Sequence, residues 1–202
     1  MTGQLIIDVV LAVVLVAFTA GAFLLAREIG RLQVRLGPLG ARVMAGGPGP
    51  GDLGPAFEGL ADVMDREVRI GGRRERHQLL VFVSPSCSTC RALLPGLKAL
   101  ARRERREYEV VLVSDGPLRE HLEFLDGFTL GPDLSYVNAF AAGVAYQVAA
   151  TPYAVALDRD GVVRAKGLCN HMQQVESLLN ALEHGVPSLQ HLHARAVSGQ
   201  RG

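Results

Sequence analysis

Two cysteines in the pattern C-x-x-C lie within VFVSPSCSTCRALLPGLKAL, the stretch that covers residues 81–100. Cys87 follows an apolar run, and Cys90 comes three residues later, where the spacing predicts the first turn of a helix. A thiol at a helix N-terminus meets unpaired backbone N–H groups and the positive end of the helix dipole, and both favour the thiolate. Cys90 lies on the same helix face, so it can attack a mixed disulfide formed on Cys87. The pattern predicts thiol–disulfide exchange, with Cys87 attacking and Cys90 resolving.

Other uses of these two thiols fit the sequence less well. A zinc site needs four ligands, and the near candidates to complete it, Cys169 and His171, lie on a mismatched scaffold. A peroxidatic cysteine would need a Thr or Ser and an upstream Pro at fixed offsets, an arrangement that neither cysteine shows. Two inert buried thiols need not lie at a strand–helix junction. We therefore expect no metal and no cofactor other than a redox-active Cys87–Cys90 disulfide.

The amino-acid composition limits the kinds of protein that fit the sequence. Hydrophobic residues make up 49% of the 202 positions, which is enough to bury the core of one ordinary domain. The 21 basic residues nearly balance the 20 acidic ones, so nothing suggests a nucleic-acid surface. Three cysteines are too few for a disulfide-stapled scaffold.

The cysteines must be positioned by an alternation of strands and helices. Two continuous apolar runs, residues 78–83 and 109–114, are typical of strands that are covered on both faces. Apolar residues at a period of 3.6 predict a helix over residues 88–106. Further strands are predicted at residues 56–60, 67–70, 153–157 and 162–166, and further helices at residues 117–125, 134–144 and 172–183. This order predicts an α/β domain, residues 56–187, with a mixed sheet flanked by helices and followed by a tail, residues 188–202.

The N-terminal part of the chain has a different character. Residues 9–26 carry no charge and are long enough to cross a membrane as a helix, which we expect to continue to residue 36. A cleaved signal peptide is the alternative, but no Lys or Arg precedes the run. Residues 37–55 contain seven Gly and four Pro and are predicted to be a linker. Arginines cluster after the apolar run rather than before it, which by itself favours a cytoplasmic C-terminal domain.

Several of these features resemble the thioredoxin superfamily. They are Cys87-Ser88-Thr89-Cys90, Pro95 five residues later, the pair Thr151-Pro152 before a strand, and the hairpin YAVALDRDGVVRAKG. Nearly the whole chain resembles one branch, the methylamine utilization protein MauD family. That resemblance rests on the segments AREIGRLQVRLGPLGA, LLVFVSPSCSTCRALLPGLKALAR, VVLVSDG and AYQVAATPYAVALDRDGVVRAKGL.

The resemblance implies a membrane-tethered, thioredoxin-like disulfide oxidoreductase whose domain lies in the periplasm, against the direction that the arginines favour. A cis-proline loop at Thr151-Pro152 would pack against the cysteines and offer backbone groups to a bound peptide. The implied substrate is the cysteine-rich small subunit of a quinone-cofactor amine (methylamine) dehydrogenase, whose disulfides the protein would form or isomerise. An integral-membrane redox protein is the second implied partner. Two alternatives stay open, a thioredoxin-like reductant for cytochrome c maturation and a non-catalytic assembly chaperone.

The sequence departs from the family pattern at three places. Ser88-Thr89 stands between the cysteines where the family usually has a Pro, so the direction of electron flow is undecided. The strand before Cys87 carries no acid, so deprotonation of Cys90 is expected to depend on water or a partner. Cys169 stands where an apolar residue is expected, and we predict that it is a buried, inert thiol.

Overall fold

The structure, a computed structural model, describes residues 46–183 and five positions near the N-terminus, 11, 15, 18, 19 and 21. The predicted membrane helix lies outside the described residues apart from those five positions, and the predicted tail lies outside them entirely. Within the part that is described, no helix combines the length and the apolar character needed to cross a membrane. The elements below all belong to residues 46–183.

Two sheets are built from the strands of residues 46–183. The strands are β1 (Phe57–Ala61), β2 (Glu67–Ile70), β3 (His77–Phe82), β4 (Tyr108–Ser114), β5 (Leu134–Asn138), β6 (Tyr153–Leu157) and β7 (Val163–Leu168). The central sheet has the order β5-β4-β3-β6-β7. Neighbours among β3, β4 and β5 are parallel, whereas β6 is antiparallel to both β3 and β7. β1 and β2 pair with each other in a separate antiparallel hairpin. The central sheet is therefore mixed, as predicted.

Helices flank this sheet, and one predicted helix is wrong. The helices are α1 (Ser88–Arg103), α2 (Leu118–Phe124), α3 (Phe140–Ala145) and α4 (Met172–Glu183). The helix predicted over residues 134–144 is instead strand β5 followed by the short helix α3. Tyr136 packs on one face of the sheet and Val137 on the other, which is the alternation of a strand. Pairing with β4, where Leu112 lies opposite Tyr136, outweighs the local helical spacing.

The core consists of two apolar layers, one on each face of the central sheet. Leu79 and Val81 of β3 face the layer that contains the buried sides of α1 and α4. Leu80 and Phe82 face the opposite layer, which includes Tyr146 just after α3. β3 is therefore buried on both faces, as its continuous apolar sequence predicts.

The last ten residues of the predicted linker lie against β7. Gly51 N–H donates to the carbonyl of Val163 at 2.8 Å, and Lys166 Nζ donates to the carbonyl of Gly46 at 2.6 Å. Gly47 has a φ of 70°, and a Cβ at that position would lie 2.2 Å from the carbonyl oxygen of Tyr146, so only glycine fits there. Glycine in this segment thus allows the backbone to pack closely against the domain. The domain boundary at residue 56 stays a prediction.

Candidate functional site

Cys87 lies at the N-terminal cap of α1, a short loop beyond the end of β3. The backbone N–H of Cys90 donates to the Sγ atom of Cys87 at 3.2 Å, so the Cys87 sulfur occupies the place of a capping oxygen. No acidic residue lies in the first turn of α1, and the helix dipole there favours a negative charge. Cys87 is partly exposed and opens onto a shallow depression. The depression is lined by Pro85, Ser86, Ser88, Arg91 and Ala92. The geometry suits a nucleophilic sulfur that a second protein can reach.

Cys90 has the opposite environment, although it is only one turn away. It is fully buried, and burial, together with its hydrogen bond to Cys87, raises the pKa of its thiol to about 12. The backbone amide of Ser84 and the side chain of Thr151 act against this increase in pKa, because hydrogen bonds to the thiolate stabilise it. Cys90 is therefore protonated at neutral pH and out of reach of solvent.

Thr151 and Pro152 approach the cysteines from the other side of the site. Their peptide bond is cis, and the Cys87 thiol donates to the carbonyl of Thr151 at 3.8 Å. The approach follows from the sheet order, since β6 pairs with β3 and Tyr153 lies opposite Phe82. The beginning of β6 is thereby placed beside the end of β3. The fold thus brings together the four residues singled out in the sequence, across a separation of 64 positions.

Comparison with known proteins identifies the family. No protein-family profile matches the chain. Curated relatives do match: the methylamine utilization protein MauD of Paracoccus versutus is 40% identical over 194 residues, which cover 96% of each chain. The MauD protein of Paracoccus denitrificans is 45% identical over 168 residues, which cover 82% of each chain. The chain belongs to the MauD family.

Solved structures similar to this MauD-family protein share its fold. A thiol:disulfide interchange protein DsbE from Chlorobium tepidum superimposes with a TM-score of 0.57 at 19% identity, covering 69% of this chain and 99% of that one. The thioredoxin domain of a Bacteroides vulgatus thiol-disulfide oxidoreductase gives a TM-score of 0.54 at 18% identity, covering 68% and 98%. The predicted thioredoxin-like fold is confirmed. The enzyme class predicted from the sequence agrees with the descriptions of both structures.

The third cysteine of the MauD-family protein lies behind the proline loop. Cys169 is fully buried, and burial raises the pKa of its thiol to about 12. Its backbone N–H donates to the carbonyl of Pro152 at 2.9 Å, while its sulfur donates to the carbonyl of Gly167 at 3.5 Å. Cys169 thus supports the loop through its backbone, and the buried thiol predicted from the sequence is observed. Within residues 46–183, no group of three or more Cys, His, Asp or Glu is arranged to hold a metal ion.

Sequence reasoning missed a buried polar pair near this site. His121 Nδ1 lies 2.6 Å from the hydroxyl of Tyr136, and His121 Nε2 lies 3.2 Å from the carbonyl of Gly116. A carbonyl can only accept, so in the neutral ring Nε2 carries the hydrogen and Nδ1 accepts from Tyr136. Burial raises the pKa of Tyr136 to about 12. Assigning residues 134–144 to a helix concealed the pair, because it requires Tyr136 to lie on a strand beside α2.

A groove beside Thr151 was also missed. It opens at the carboxyl ends of β3, β4 and β5, and Phe140 and Val144 of α3 lie along it. These two side chains are four residues apart on one helix face, and both are exposed. The sequence analysis places both in the helix predicted over residues 134–144, and only the tertiary structure shows that nothing in the described chain covers them.

Proposed function

We propose that this MauD-family protein is a thiol–disulfide oxidoreductase that works through Cys87 and Cys90. In one direction, the Cys87 thiolate attacks a client disulfide, a mixed disulfide forms and one client thiolate leaves. Cys90 then attacks the Cys87 sulfur, so that a Cys87–Cys90 disulfide forms and the second client thiol is released. The reverse sequence oxidises a client dithiol. Isomerisation ends without net electron transfer. The observation that carries the proposal is the 3.2 Å hydrogen bond from the backbone N–H of the buried Cys90 to the Sγ atom of the accessible Cys87.

Proton transfer accompanies each half of this cycle. Cys90 must lose its proton before it can resolve the mixed disulfide, and its pKa of about 12 opposes that loss. β3 carries no carboxylate that could take the proton. The departing client thiolate is a base of ordinary thiol strength, and it is produced at the site in the preceding step. We assign proton removal to this thiolate or to water.

The Thr151-Pro152 loop is proposed to bind the client backbone. The amides of Ala149, Ala150 and Thr151 take part in no backbone hydrogen bond among the described residues, and Ala149 and Ala150 are exposed. An extended client segment can pair with such groups as an added strand. The Thr151 carbonyl, 3.8 Å from the Cys87 sulfur, would hold that segment next to the reacting atom.

The proposed client is the cysteine-rich small subunit of a methylamine dehydrogenase, whose disulfides the protein would form or isomerise. Support comes from the curated relatives, which are named methylamine utilization proteins. We further propose that residues 9–26 anchor the protein in the inner membrane with its thioredoxin-like domain in the periplasm, where disulfides persist. An integral-membrane redox protein would then restore the Cys87–Cys90 pair after each cycle.

Trapping of the mixed disulfide tests the proposal in the native host. With Cys90→Ser the intermediate cannot be resolved, so a covalent complex with the dehydrogenase small subunit should accumulate. With Cys87→Ser no complex should form, and the double variant serves as the control. Normal accumulation of a correctly disulfide-bonded dehydrogenase in the double variant would exclude the redox role and leave an assembly chaperone.

The reduction potential decides the direction of electron flow. A value near that of thioredoxin, about −270 mV, would favour a reductant such as one serving cytochrome c maturation. A value above about −200 mV would favour disulfide formation. Ser88 and Thr89 lie between the two cysteines in the sequence, so replacing this dipeptide should shift the measured reduction potential.

A further inference from the structure

The groove beside Thr151 has the size and lining of a side-chain pocket. Its volume is about 300 Å³. Its apolar lining includes Phe82, Val113, Phe140, Val144 and Val148. Among the described residues that line it, Asp115 alone carries a charge. Side chains of the α3 segment form one wall, and the loop that leads to Thr151 forms another. The groove is thus a mainly apolar recess whose lining also includes Asp115 and the polar side chains of Ser114 and Gln147.

Exposure of this apolar surface has no structural explanation within the described chain. Phe140 is 66% exposed and Val144 is 57% exposed, although neighbouring Ala142 on the same helix is fully buried. Large exposed apolar side chains that adjoin a recess are typical of surfaces that bind a partner. The recess therefore calls for an occupant that is itself apolar.

The groove is continuous with the reacting sulfur through Thr151. This residue lines the groove, and its carbonyl lies 3.8 Å from Cys87 Sγ. Neighbouring residues of an extended chain are about 3.3 Å apart along the strand. A client whose cysteine meets Cys87 therefore places a residue close to that cysteine at the mouth of the groove.

We propose that the groove binds one large apolar side chain of an extended client polypeptide, close in sequence to the client cysteine that reacts with Cys87. The proposal rests on the proposed function and adds a sequence preference to it. The amides of Ala149 and Ala150, which make no backbone hydrogen bond within residues 46–183, would hold the client backbone, and the groove would select the side chain. The protein would thereby favour cysteines in apolar segments, which are accessible before a client folds and buried afterwards.

Gly143 provides a way to fill the groove without disturbing the fold. It lines the groove, and a Cβ added to it meets no atom within 4 Å. Gly143→Leu should therefore occupy the recess. Val144→Ser changes the chemistry of the wall instead, at a side chain that is already exposed. Leu122→Ala, at an exposed apolar position on α2 outside the groove, is the matched control.

The test compares short peptides that differ only in the residues next to one cysteine. Each peptide carries its cysteine as a mixed disulfide with thionitrobenzoate, and reduced full-length protein is added. Cys87 attacks the peptide sulfur and thionitrobenzoate leaves; Cys90 then displaces the peptide thiol and the protein is left oxidised. Release of thionitrobenzoate gives the rate. A peptide with flanking Leu or Phe should react about tenfold faster than one with flanking Ser, the ratio expected for burial of one apolar side chain.

The variants and a small disulfide separate the possible outcomes. Gly143→Leu and Val144→Ser should abolish the preference for the apolar peptide, whereas Leu122→Ala should retain it. Bis(2-hydroxyethyl) disulfide is too small to occupy the groove, so its rate measures the reactivity of the cysteines alone. Equal rates for all peptides, or a preference that survives in both groove variants, would overturn the groove proposal. No reaction with either the peptides or the small disulfide would instead overturn the proposed function.

Discussion

The backbone N–H of Cys90 donates to Sγ of Cys87 at 3.2 Å, while the Cys90 side chain itself is fully buried. Cys90 therefore stabilises a negative charge on the Cys87 sulfur through its backbone, while its own thiol is shielded from solvent. This asymmetry is what the proposed order of events requires, in which Cys87 would meet the client first and Cys90 would act afterwards.

Alkylation should distinguish the three thiols of the reduced protein. At pH 7 a thiol with a pKa of about 12 is ionised in only about one molecule in 10⁵, and both Cys90 and Cys169 have such values. Iodoacetamide should therefore modify Cys87 selectively, as read by mass spectrometry of the digested protein. The rate at Cys90 should rise about tenfold per pH unit up to its pKa, since only the thiolate reacts. Equal labelling of Cys87 and Cys90 at pH 7 would contradict the arrangement described here.

Removing the Tyr136 hydroxyl should destabilise the domain. In Tyr136→Phe, Nδ1 of the buried His121 loses the partner that lies 2.6 Å away, and an unsatisfied buried group costs about 1–3 kcal/mol. The free energy of unfolding, measured by urea denaturation, should fall by that amount.

Tyr153→Phe is the matched control for this change. The Tyr153 hydroxyl is also buried, but it has no hydrogen-bond partner among the described residues. Its removal should leave the free energy of unfolding unchanged or slightly higher, because no bond is lost and no partner is orphaned. A similar loss of stability in both variants would show that ring packing, rather than the hydrogen bond to His121, carries the effect.

Asp158 should make the stability of the hairpin between β6 and β7 depend on pH. Its side chain accepts hydrogen bonds from the amides of Asp160 and Val162, each at 2.9 Å, and from Arg164 Nε at 2.7 Å. Burial alone would raise the pKa of this carboxyl, but these bonds outweigh burial and lower it below 3.8. Because the pKa is lowered on folding, the contribution of ionised Asp158 to the free energy of unfolding is complete well above pH 3.8. It is lost as the pH falls through the pKa that Asp158 has in the folded protein.

Asp158→Asn should therefore destabilise the protein by about 1–3 kcal/mol at pH 7, and the difference from wild type should shrink by pH 3. Urea denaturation at the two pH values measures it. Asp160→Asn is the control, because that carboxylate is exposed and its contact with Arg73 is 3.4 Å long. A difference between wild type and Asp158→Asn that is constant with pH would show that the charge of Asp158 is not involved.

Lys166 should hold the segment that precedes β1. Its Nζ donates to the carbonyls of Gly46 and Gly47, and burial lowers the pKa of the ammonium group while Asp52 acts to raise it. Lys166→Met removes both bonds, so the amide of Gly51, which donates to Val163, should exchange its hydrogen about tenfold faster. Hydrogen-exchange mass spectrometry of peptides that cover residues 46–55 reads this effect. Lys98→Met, at a lysine on α1, should leave that exchange unchanged.

The extent to which the sequence predicts the structure depends on how local each signal is. The helix after Cys87 and the buried strands β3 and β4 are specified by apolar periodicity within a few residues, and their positions agree with the structure. β5 depends on pairing with β4, which lies well before it in the sequence. Val110 pairs with Leu134, for example, and these two residues are 24 positions apart. Local spacing could not reveal that pairing.

The candidate site shows the same division. Cys87 and Cys90 are recognisable from their spacing, and Thr151-Pro152 from its place before a strand. The groove is formed by side chains from β3, β4, α3 and the following loop, so no single stretch of sequence contains it. The partnership of His121 with Tyr136 likewise requires knowing that α2 lies against β5.

The backbone bond between Cys169 and Pro152 has a practical consequence. Since the amide and not the sulfur of Cys169 supports the proline loop, alanine at this position would keep the loop in place. A protein whose thiols are Cys87 and Cys90 alone could then be titrated against a redox buffer without a spare thiol to scramble the products. Electrochemistry on such a two-cysteine protein would report one thiol–disulfide couple, and the measured midpoint could be assigned to Cys87 and Cys90 directly.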